Sequence, residues 1–196
     1  MRIHTRLKLP LLLFVLALAL SARAYDYPLS SNAIRDAYLL GTGSGRGGVG
    51  FLAQYSHQIP KLRAGAYTSV VRIETPYSQV AAHSARKLNY SVDDAVKEFL
   101  GKPALFRIYL DICVSSGAEK PIKVEVLQND KEIVPQSVER SPYFAAQESD
   151  TSLPRIGEHV ELDFKAGKID SLPLLIEIDV SDGQHAETKF DLAALR

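Results

Sequence analysis

The C-terminal half of the chain alternates apolar and polar residues with a period of two, and this pattern constrains the fold more than any other feature. It recurs in four segments, at 106–114, 122–126, 159–164 and 174–192, and the last of these is interrupted by a turn. Successive side chains of a β-strand point to opposite faces, so each segment predicts strand structure with one face buried.

A fifth alternating segment begins at Tyr67, where Val71 and Ile73 share a face, and Pro76 closes it. Half-buried strands separated by turns, without long helices between them, indicate antiparallel sheets that pack face to face. We therefore predict a mainly β fold, specifically an antiparallel immunoglobulin-like β-sandwich, with a short N-terminal helix and one inserted helix at about 91–100.

Local signals support both helices. Ser30 or Ser31 can cap the N-terminal helix, and Gly41 is expected to end it. For the inserted helix, Ser91 and Asp94 form the two halves of a capping box. The four residues Thr75-Pro76-Tyr77-Ser78, by contrast, are interpreted as a strand exit and turn.

The turn in the last hairpin can be predicted from parity, because directly opposed residues of antiparallel strands point to the same side of the sheet. A loop of Asp182-Gly183-Gln184 would place Val180 opposite Ala186 and Ile176 opposite Phe190. The same register would place Glu177 opposite Lys189, and a pairing of Val180 with His185 would contradict it.

The N-terminus reads as a cleavable secretory signal. Basic residues precede an apolar run from Leu9 to Leu20, and Ala22-Arg23-Ala24 is an A-x-A cleavage site. The run is too short to span a membrane, so the mature chain is expected to be soluble in the periplasm or outside the cell. The predicted organisation is a signal peptide at 1–24, an N-terminal helix with a Gly-rich loop and connection at 25–65, and the sandwich domain at 66–196.

Removal of the signal changes the charge of the protein. The full chain has 23 Lys and Arg against 23 Asp and Glu, and the signal contains four basic residues (Arg2, Arg6, Lys8 and Arg23) and no acidic ones. Residues 25–196 therefore carry 19 basic and 23 acidic side chains, a net charge of −4. This balance argues against a general affinity for nucleic acid.

Two weak candidates for chemistry stand out. Ser84 and Lys87 match the S-x-x-K pattern of serine acylases, in which the lysine accepts the serine proton. His159, Glu161 and Asp163 share the outer face of a predicted strand and carry ligands suited to a divalent metal, which His185 and Glu187 could join if their strand is a neighbour. Solvated charges are the simpler interpretation of that face, and no other cofactor is expected.

Two further features have simpler explanations. Residues 43–48 match G-x-G-x-x-G, but no strand precedes them and no parallel unit surrounds them, which favours a flexible linker over a dinucleotide site. Cys113 is the only cysteine, so it could join two chains, react as a nucleophile, or serve as a reduced structural residue.

Several short motifs follow one another between about residues 33 and 115: Ala37-Tyr38-Leu39-Leu40-Gly41, Phe51-Leu52-Ala53, Ile59-Pro60, Thr75-Pro76-Tyr77 and Tyr90-Ser91. In this order they resemble uncharacterised exported bacterial proteins. The resemblance implies export and no particular activity.

Three hypotheses follow for the function. The first is a non-enzymatic envelope module that binds another envelope protein or a surface polymer. The second is a small periplasmic hydrolase that uses Ser84 and Lys87, or a metal at His159, Glu161 and Asp163. The third is an assembly role in which Cys113 or an exposed edge strand joins chains.

Overall fold

The computed structural model describes residues 25–43, 47–59, 67–114, 123–145, 155–180 and 184–195. The helices are α1 (Ser31–Thr42), α2 (Gly47–Ala53), α3 (Pro76–Arg86) and α4 (Val92–Phe99), with a short 3-10 helix at Ala166–Lys168. The strands are β1 (Ser56–Gln58), β2 (Tyr67–Glu74), β3 (Leu105–Val114), β4 (Lys123–Gln128), β5 (Lys131–Glu132), β6 (Ser137–Ala145), β7 (Arg155–Lys165), β8 (Leu174–Val180) and β9 (Gln184–Phe190).

The strands form two antiparallel sheets, a five-stranded sheet in the order β1-β2-β3-β7-β6 and a four-stranded sheet in the order β5-β4-β8-β9. The prediction of a mainly β, antiparallel fold is therefore confirmed. The immunoglobulin-like topology remains a prediction. Because β1 pairs with β2, part of the predicted N-terminal segment belongs to the same sheet as the start of the predicted sandwich domain.

The two sheets bury their alternating apolar residues against each other in one core. The five-stranded sheet contributes Phe106, Ile108, Leu110, Ile112, Val160, Leu162 and Phe164, and the four-stranded sheet contributes Val126, Leu174, Ile176, Ile178 and Phe190. Most of these side chains are fully buried. The period-two pattern thus specifies which face of each strand enters the core.

The predicted register of the last hairpin is wrong by two residues. Val180 pairs with Gln184, Ile178 with Ala186, and Ile176 with Thr188 rather than Phe190. A shift of two residues keeps every side chain on its predicted face and therefore leaves the hydrophobic pattern unchanged. The shift does change the partners on the outer face, where Glu177 lies opposite Glu187 instead of Lys189.

The inserted helix α4 begins as predicted, since Ser91 and Asp94 form the reciprocal capping box. The segment between β2 and β3 also contains α3, where we predicted only a strand exit and turn at Thr75-Pro76-Tyr77-Ser78. Thr75 is the N-cap of α3, its hydroxyl accepts a hydrogen bond from Ser78 N at 3.1 Å, and Pro76 occupies the first turn. Proline fits that position because its missing N–H has no helical partner there.

Helix α1 continues through Gly41, which we predicted as its stop. A Cβ at Gly41 would lie 2.1 Å from the carbonyl oxygen of Ala81 on α3. The glycine therefore allows α1 and α3 to pack closely instead of ending α1. With α4 they enclose a second core of Leu29, Ile34, Ala37, Tyr77, Val80, Ala81, Tyr90 and Ala95.

The early and late parts of the chain meet in the sandwich. The Tyr25 hydroxyl donates to the carbonyl oxygen of Ala166 at 2.9 Å, and its ring is buried. On β1, the His57 ring stacks on Phe190 of β9 at 4.0 Å between ring centroids. His57 Nδ1 also lies 2.7 Å from the Thr188 hydroxyl. The contacts of His57 connect β1, at the edge of the five-stranded sheet, with β9, at the edge of the four-stranded sheet.

Candidate functional site

Ser84 and Lys87 do not bond each other in the structure. Ser84 is buried on α3, and its Oγ has no hydrogen-bond partner among the described residues. Helix α3 ends at Arg86, and Lys87 has the extended dihedrals φ −94° and ψ 115°. The Lys87 ammonium lies 3.2 Å from Glu98 Oε2 and 4.4 Å from the centre of the Tyr90 ring. The expected overlap of the two side chains on one helical face is therefore lost.

A polar cleft lies where α3 and α4 meet the end of the five-stranded sheet, with a volume of about 470 Å³. Gln79 connects the helix to the sheet, since its Nε2 donates to the carbonyl oxygens of Leu105 at 2.7 Å and Glu74 at 3.3 Å. The cleft is lined by Glu74, Gln79, Ala82, His83, Arg86, Lys87, Glu98, Phe99 and Arg107.

Glu98 is the centre of the interactions between α3 and α4. Its carboxylate accepts hydrogen bonds from the Tyr90 hydroxyl at 2.9 Å and from Lys87 Nζ at 3.2 Å, and it lies 3.4 Å from His83 Nε2. Desolvation acts to raise the pKa of Glu98, but the hydrogen bonds from Tyr90 and Lys87 and the charge of His83 outweigh it, so the pKa is lowered. Burial and the bond to Glu98 raise the pKa of Tyr90.

A second depression of about 450 Å³ adjoins the cleft and shares Lys87 and Glu98 with it. The carboxylates around the two depressions have partners: Glu74 accepts from the Tyr109 hydroxyl, Asp94 bonds Ser91, and Glu98 bonds Tyr90 and Lys87. Three exposed cations line the rim of the two depressions: Arg86, Lys97 and Lys102. Within the described ranges, no carboxylate forms an ion pair with any of them.

The predicted metal residues His159, Glu161 and Asp163 do share the outer face of β7, but a cation of this chain lies among them. Arg107 Nε is 3.2 Å from Asp163 Oδ1 and 3.6 Å from Glu161 Oε1. His159 Nδ1 lies 2.7 Å from Asp111 Oδ1. The two carboxylates therefore have a guanidinium as their partner, and the imidazole is engaged by a different strand.

His185 and Glu187 lie on the four-stranded sheet and not beside β7. In the observed register Glu125, Glu177 and Glu187 form one cross-strand row, and Lys123, Asp179 and His185 form the next. One ligand atom each from Glu177, His185 and Glu187 lies within 4.8 Å of the others. The sequence indicated His185 and Glu187 as possible ligands but could not supply Glu177, because that residue joins them only through the register.

The other charges in these two rows are paired. Lys123 Nζ lies 2.7 Å from Glu125 Oε1, and this hydrogen bond raises the pKa of Lys123. His185 Nδ1 lies 2.9 Å from Asp179 Oδ1, and that bond, with the nearby carboxylates, raises the pKa of His185. Over the part of the chain that the structure describes, neither Glu177 nor Glu187 has a cationic partner within 4.0 Å.

Two remaining candidates are placed only in part. Cys113 is in β3, where its backbone pairs with Gly157 and Tyr67, and its side chain lies outside the described residues. Of the Gly-rich motif at 43–48, residues 44–46 lie outside the described ranges, while Gly47 and Gly48 begin α2. The assembly role of Cys113 therefore stays a prediction.

Comparison with known proteins assigns no identity to the chain. No protein-family model matches its sequence, and no curated protein matches it significantly. Among the helices that the structure describes, none has the length and apolar character needed to cross a membrane.

Proposed function

We propose that the chain is an exported, non-enzymatic binding module of the cell envelope, and that it holds an anionic surface polymer against the cleft between α3, α4 and the five-stranded sheet. The observation that carries the proposal is the charge of the rim. Arg86, Lys97 and Lys102 are exposed and have no carboxylate partner among the described residues, while the carboxylates beside them are already bonded.

The local charge contrasts with that of the whole protein. Residues 25–196 carry a net charge of −4, so the protein as a whole does not attract a polyanion, and attraction is expected where cations cluster. Such a distribution favours one binding region over general adhesion. An acidic segment of another envelope protein is the alternative partner, since it offers similar charges.

The shape of the region suits an extended ligand. The two depressions share Lys87 and Glu98, so they form a continuous surface, and each has a volume within the usual range for binding sites. The hydrogen bonds of Gln79 and Glu98 hold α3, α4 and the sheet together without any ligand. The binding surface is therefore preformed, which reduces the entropic cost of association.

Export is the second part of the proposal, and it is supported by the A-x-A site at 22–24. Cleavage after Ala24 would make Tyr25 the first residue, and Tyr25 is the residue whose buried ring and hydroxyl attach this end of the chain to the core. N-terminal sequencing of the protein recovered from its native cells should begin at Tyr25. Recovery of intact Met1 from the folded protein would contradict export.

Binding is tested by titrating the mature protein with an acidic polysaccharide, polygalacturonate, and with neutral dextran as the reference. The double variant Arg86→Gln/Lys97→Gln should weaken polygalacturonate binding by about five- to tenfold, since each exposed charge contact contributes up to about 1 kcal/mol. Lys131 and Lys168 are also exposed and lie outside the cleft. The control Lys131→Gln/Lys168→Gln should leave the affinity unchanged.

Equal weakening by both double variants would mean that only net charge matters, and the cleft would be rejected. The polymer is rejected if polygalacturonate does not bind. A protein partner is then favoured if a photo-crosslinking residue in place of Arg86 attaches the chain to a single envelope protein in native cells. The hydrolase alternative has no comparable support in the described residues, because Lys87 is bonded to Glu98 and not to Ser84.

A further inference from the structure

We propose that the outer face of the four-stranded sheet carries a zinc site formed by Glu177, His185 and Glu187, with Asp179 positioning the histidine. The site lies on a different sheet from the cleft and is independent of the function proposed above. The strand register forms it: Glu177 on β8 lies directly opposite Glu187 on β9, and His185 is two residues from Glu187 on the same face.

The donor set indicates which class of ion would bind. Zinc is bound in proteins by imidazole nitrogen and carboxylate oxygen at about 2.0–2.2 Å, whereas Ca²⁺ and Mg²⁺ prefer oxygen ligands alone. Ligands of a tetrahedral zinc ion lie about 3.4 Å apart at those bond lengths. The three ligand atoms already lie within 4.8 Å of one another, so small rotations of exposed side chains would bring them to that separation.

The hydrogen bond of His185 has the form found around bound metals. In the neutral imidazole, Asp179 Oδ1 accepts from Nδ1 at 2.9 Å, and Nε2 then has a lone pair that a metal ion can use. A ligating histidine nearly always donates its other ring N–H to a carboxylate or a carbonyl, and that partner sets the ring orientation and strengthens the ligand. Asp179 is a positioning residue in this arrangement and not a ligand.

The electrostatics of the face also favour a cation at this point. Like charges directly opposite each other on neighbouring strands destabilise a sheet. The adjacent carboxylates have their own partners, Lys123 for Glu125 and His185 for Asp179. Among the residues that the structure describes, no cation lies within 4.0 Å of Glu177 or Glu187, and a divalent ion between them would neutralise both.

The site originally predicted from the sequence offers a matched control. His159 also bonds a carboxylate through Nδ1 and also lies on the outer face of a sheet, but the neighbouring Glu161 and Asp163 are paired with Arg107. His159→Ala therefore removes the same chemical group as His185→Ala from the opposite side of the sandwich. Both histidines are partly exposed, so neither change should prevent folding, and circular dichroism of each variant verifies this.

The experiment is calorimetric titration of the mature protein, first treated with EDTA and dialysed, with ZnCl₂, and separately with CaCl₂. We expect saturable binding of one zinc ion per chain, unchanged in His159→Ala and lost in His185→Ala. Glu187→Gln should also abolish saturable binding, and Asp179→Asn should weaken it by about 10- to 100-fold, the range usual for such partners.

A second readout is the thermal midpoint, which zinc should raise in the wild type and in His159→Ala but not in His185→Ala. The proposal is overturned if the wild type gives no saturable heat with zinc, or if His159→Ala loses binding while His185→Ala retains it. Equal affinity for calcium and zinc would also overturn it, since the imidazole would then make no contribution. None of these outcomes bears on the binding of polygalacturonate to the cleft.

Discussion

The outer faces of the two sheets differ in the ion pairs that their charged side chains form. On the five-stranded sheet, Arg107 pairs with Glu161 and Asp163, and His159 pairs with Asp111. On the four-stranded sheet, Lys123 and His185 each pair with one carboxylate, and Glu177 and Glu187 have no cation within 4.0 Å in the described part of the chain. The pair Glu177–Glu187 is therefore an arrangement that a bound cation would stabilise.

The largest expected effect is on the neutralised face. Arg107→Met should reduce the free energy of unfolding by about 1–2 kcal/mol, because it leaves two half-buried carboxylates without their cation. Denaturation in urea at neutral pH measures this. The control is Arg140→Met, since Arg140 is more exposed and lies 3.4 Å from Glu158, and it should cost at most about 0.5 kcal/mol. Equal losses would show that Arg107 has no special role.

The other face should respond with the opposite sign. In EDTA, Glu187→Gln should increase the free energy of unfolding by about 0.2–1 kcal/mol, because it removes a like charge directly opposite Glu177. Glu125→Gln is the matched control, since Glu125 also lies directly opposite Glu177 but its loss would remove the ion pair with Lys123 as well, and it should give no gain. A loss of stability in Glu187→Gln would contradict this prediction, because it would mean that the Glu187 carboxylate makes a stabilising interaction that outweighs its repulsion of Glu177.

Alkaline pH provides a smaller test of the five-stranded face. Burial and the charge of Glu74 raise the pKa of Tyr109 to about 12, while a free tyrosine titrates near 10. A raised pKa gives stability that is complete below pH 10 and is lost as the pH rises towards 12. Tyr109→Phe should therefore lose stability less steeply between pH 10 and 12 than the wild type, as urea denaturation across that range can determine. Parallel curves would contradict the assignment.

The smallest expected effect concerns His185. Its hydrogen bond to Asp179 raises its pKa above the ordinary 6.5, so its contribution to stability is complete below pH 6.5 and is lost as the pH rises through the folded-state pKa. Asp179→Asn should return the pKa towards the ordinary value, which an NMR titration of the imidazole in EDTA would follow. An unchanged pKa of His185 in the variant would show that Asp179 does not cause the shift.

The strands were predictable because burial on one face imposes a period of two, and the capping box at Ser91 and Asp94 located α4. Helix α3 was missed because Thr75-Pro76 has two compatible meanings. The same residues end a strand and cap the following helix, and a local signal does not distinguish a turn from a helix that starts in it.

The candidate sites depended on longer-range information. Ser84 and Lys87 have helical spacing, but the last helical residue is Arg86, so the spacing no longer implies proximity. Glu177 could not be grouped with His185 and Glu187 from the sequence, since hydrophobic parity allows registers that differ by two residues. Only the pairing of Ile176 with Thr188 selects the register that brings the three together.

The contact of His57 with Phe190 and Thr188 also has a kinetic consequence. It joins β1 to the last strand of the sandwich, and the two hydrogen-bonded residues are 131 positions apart in the sequence. Contacts this distant in sequence form slowly, because a long loop must close before they can stabilise the chain. The contact between β1 and β9 can therefore form only after Phe190 has been synthesised, so this part of the fold depends on nearly the whole chain.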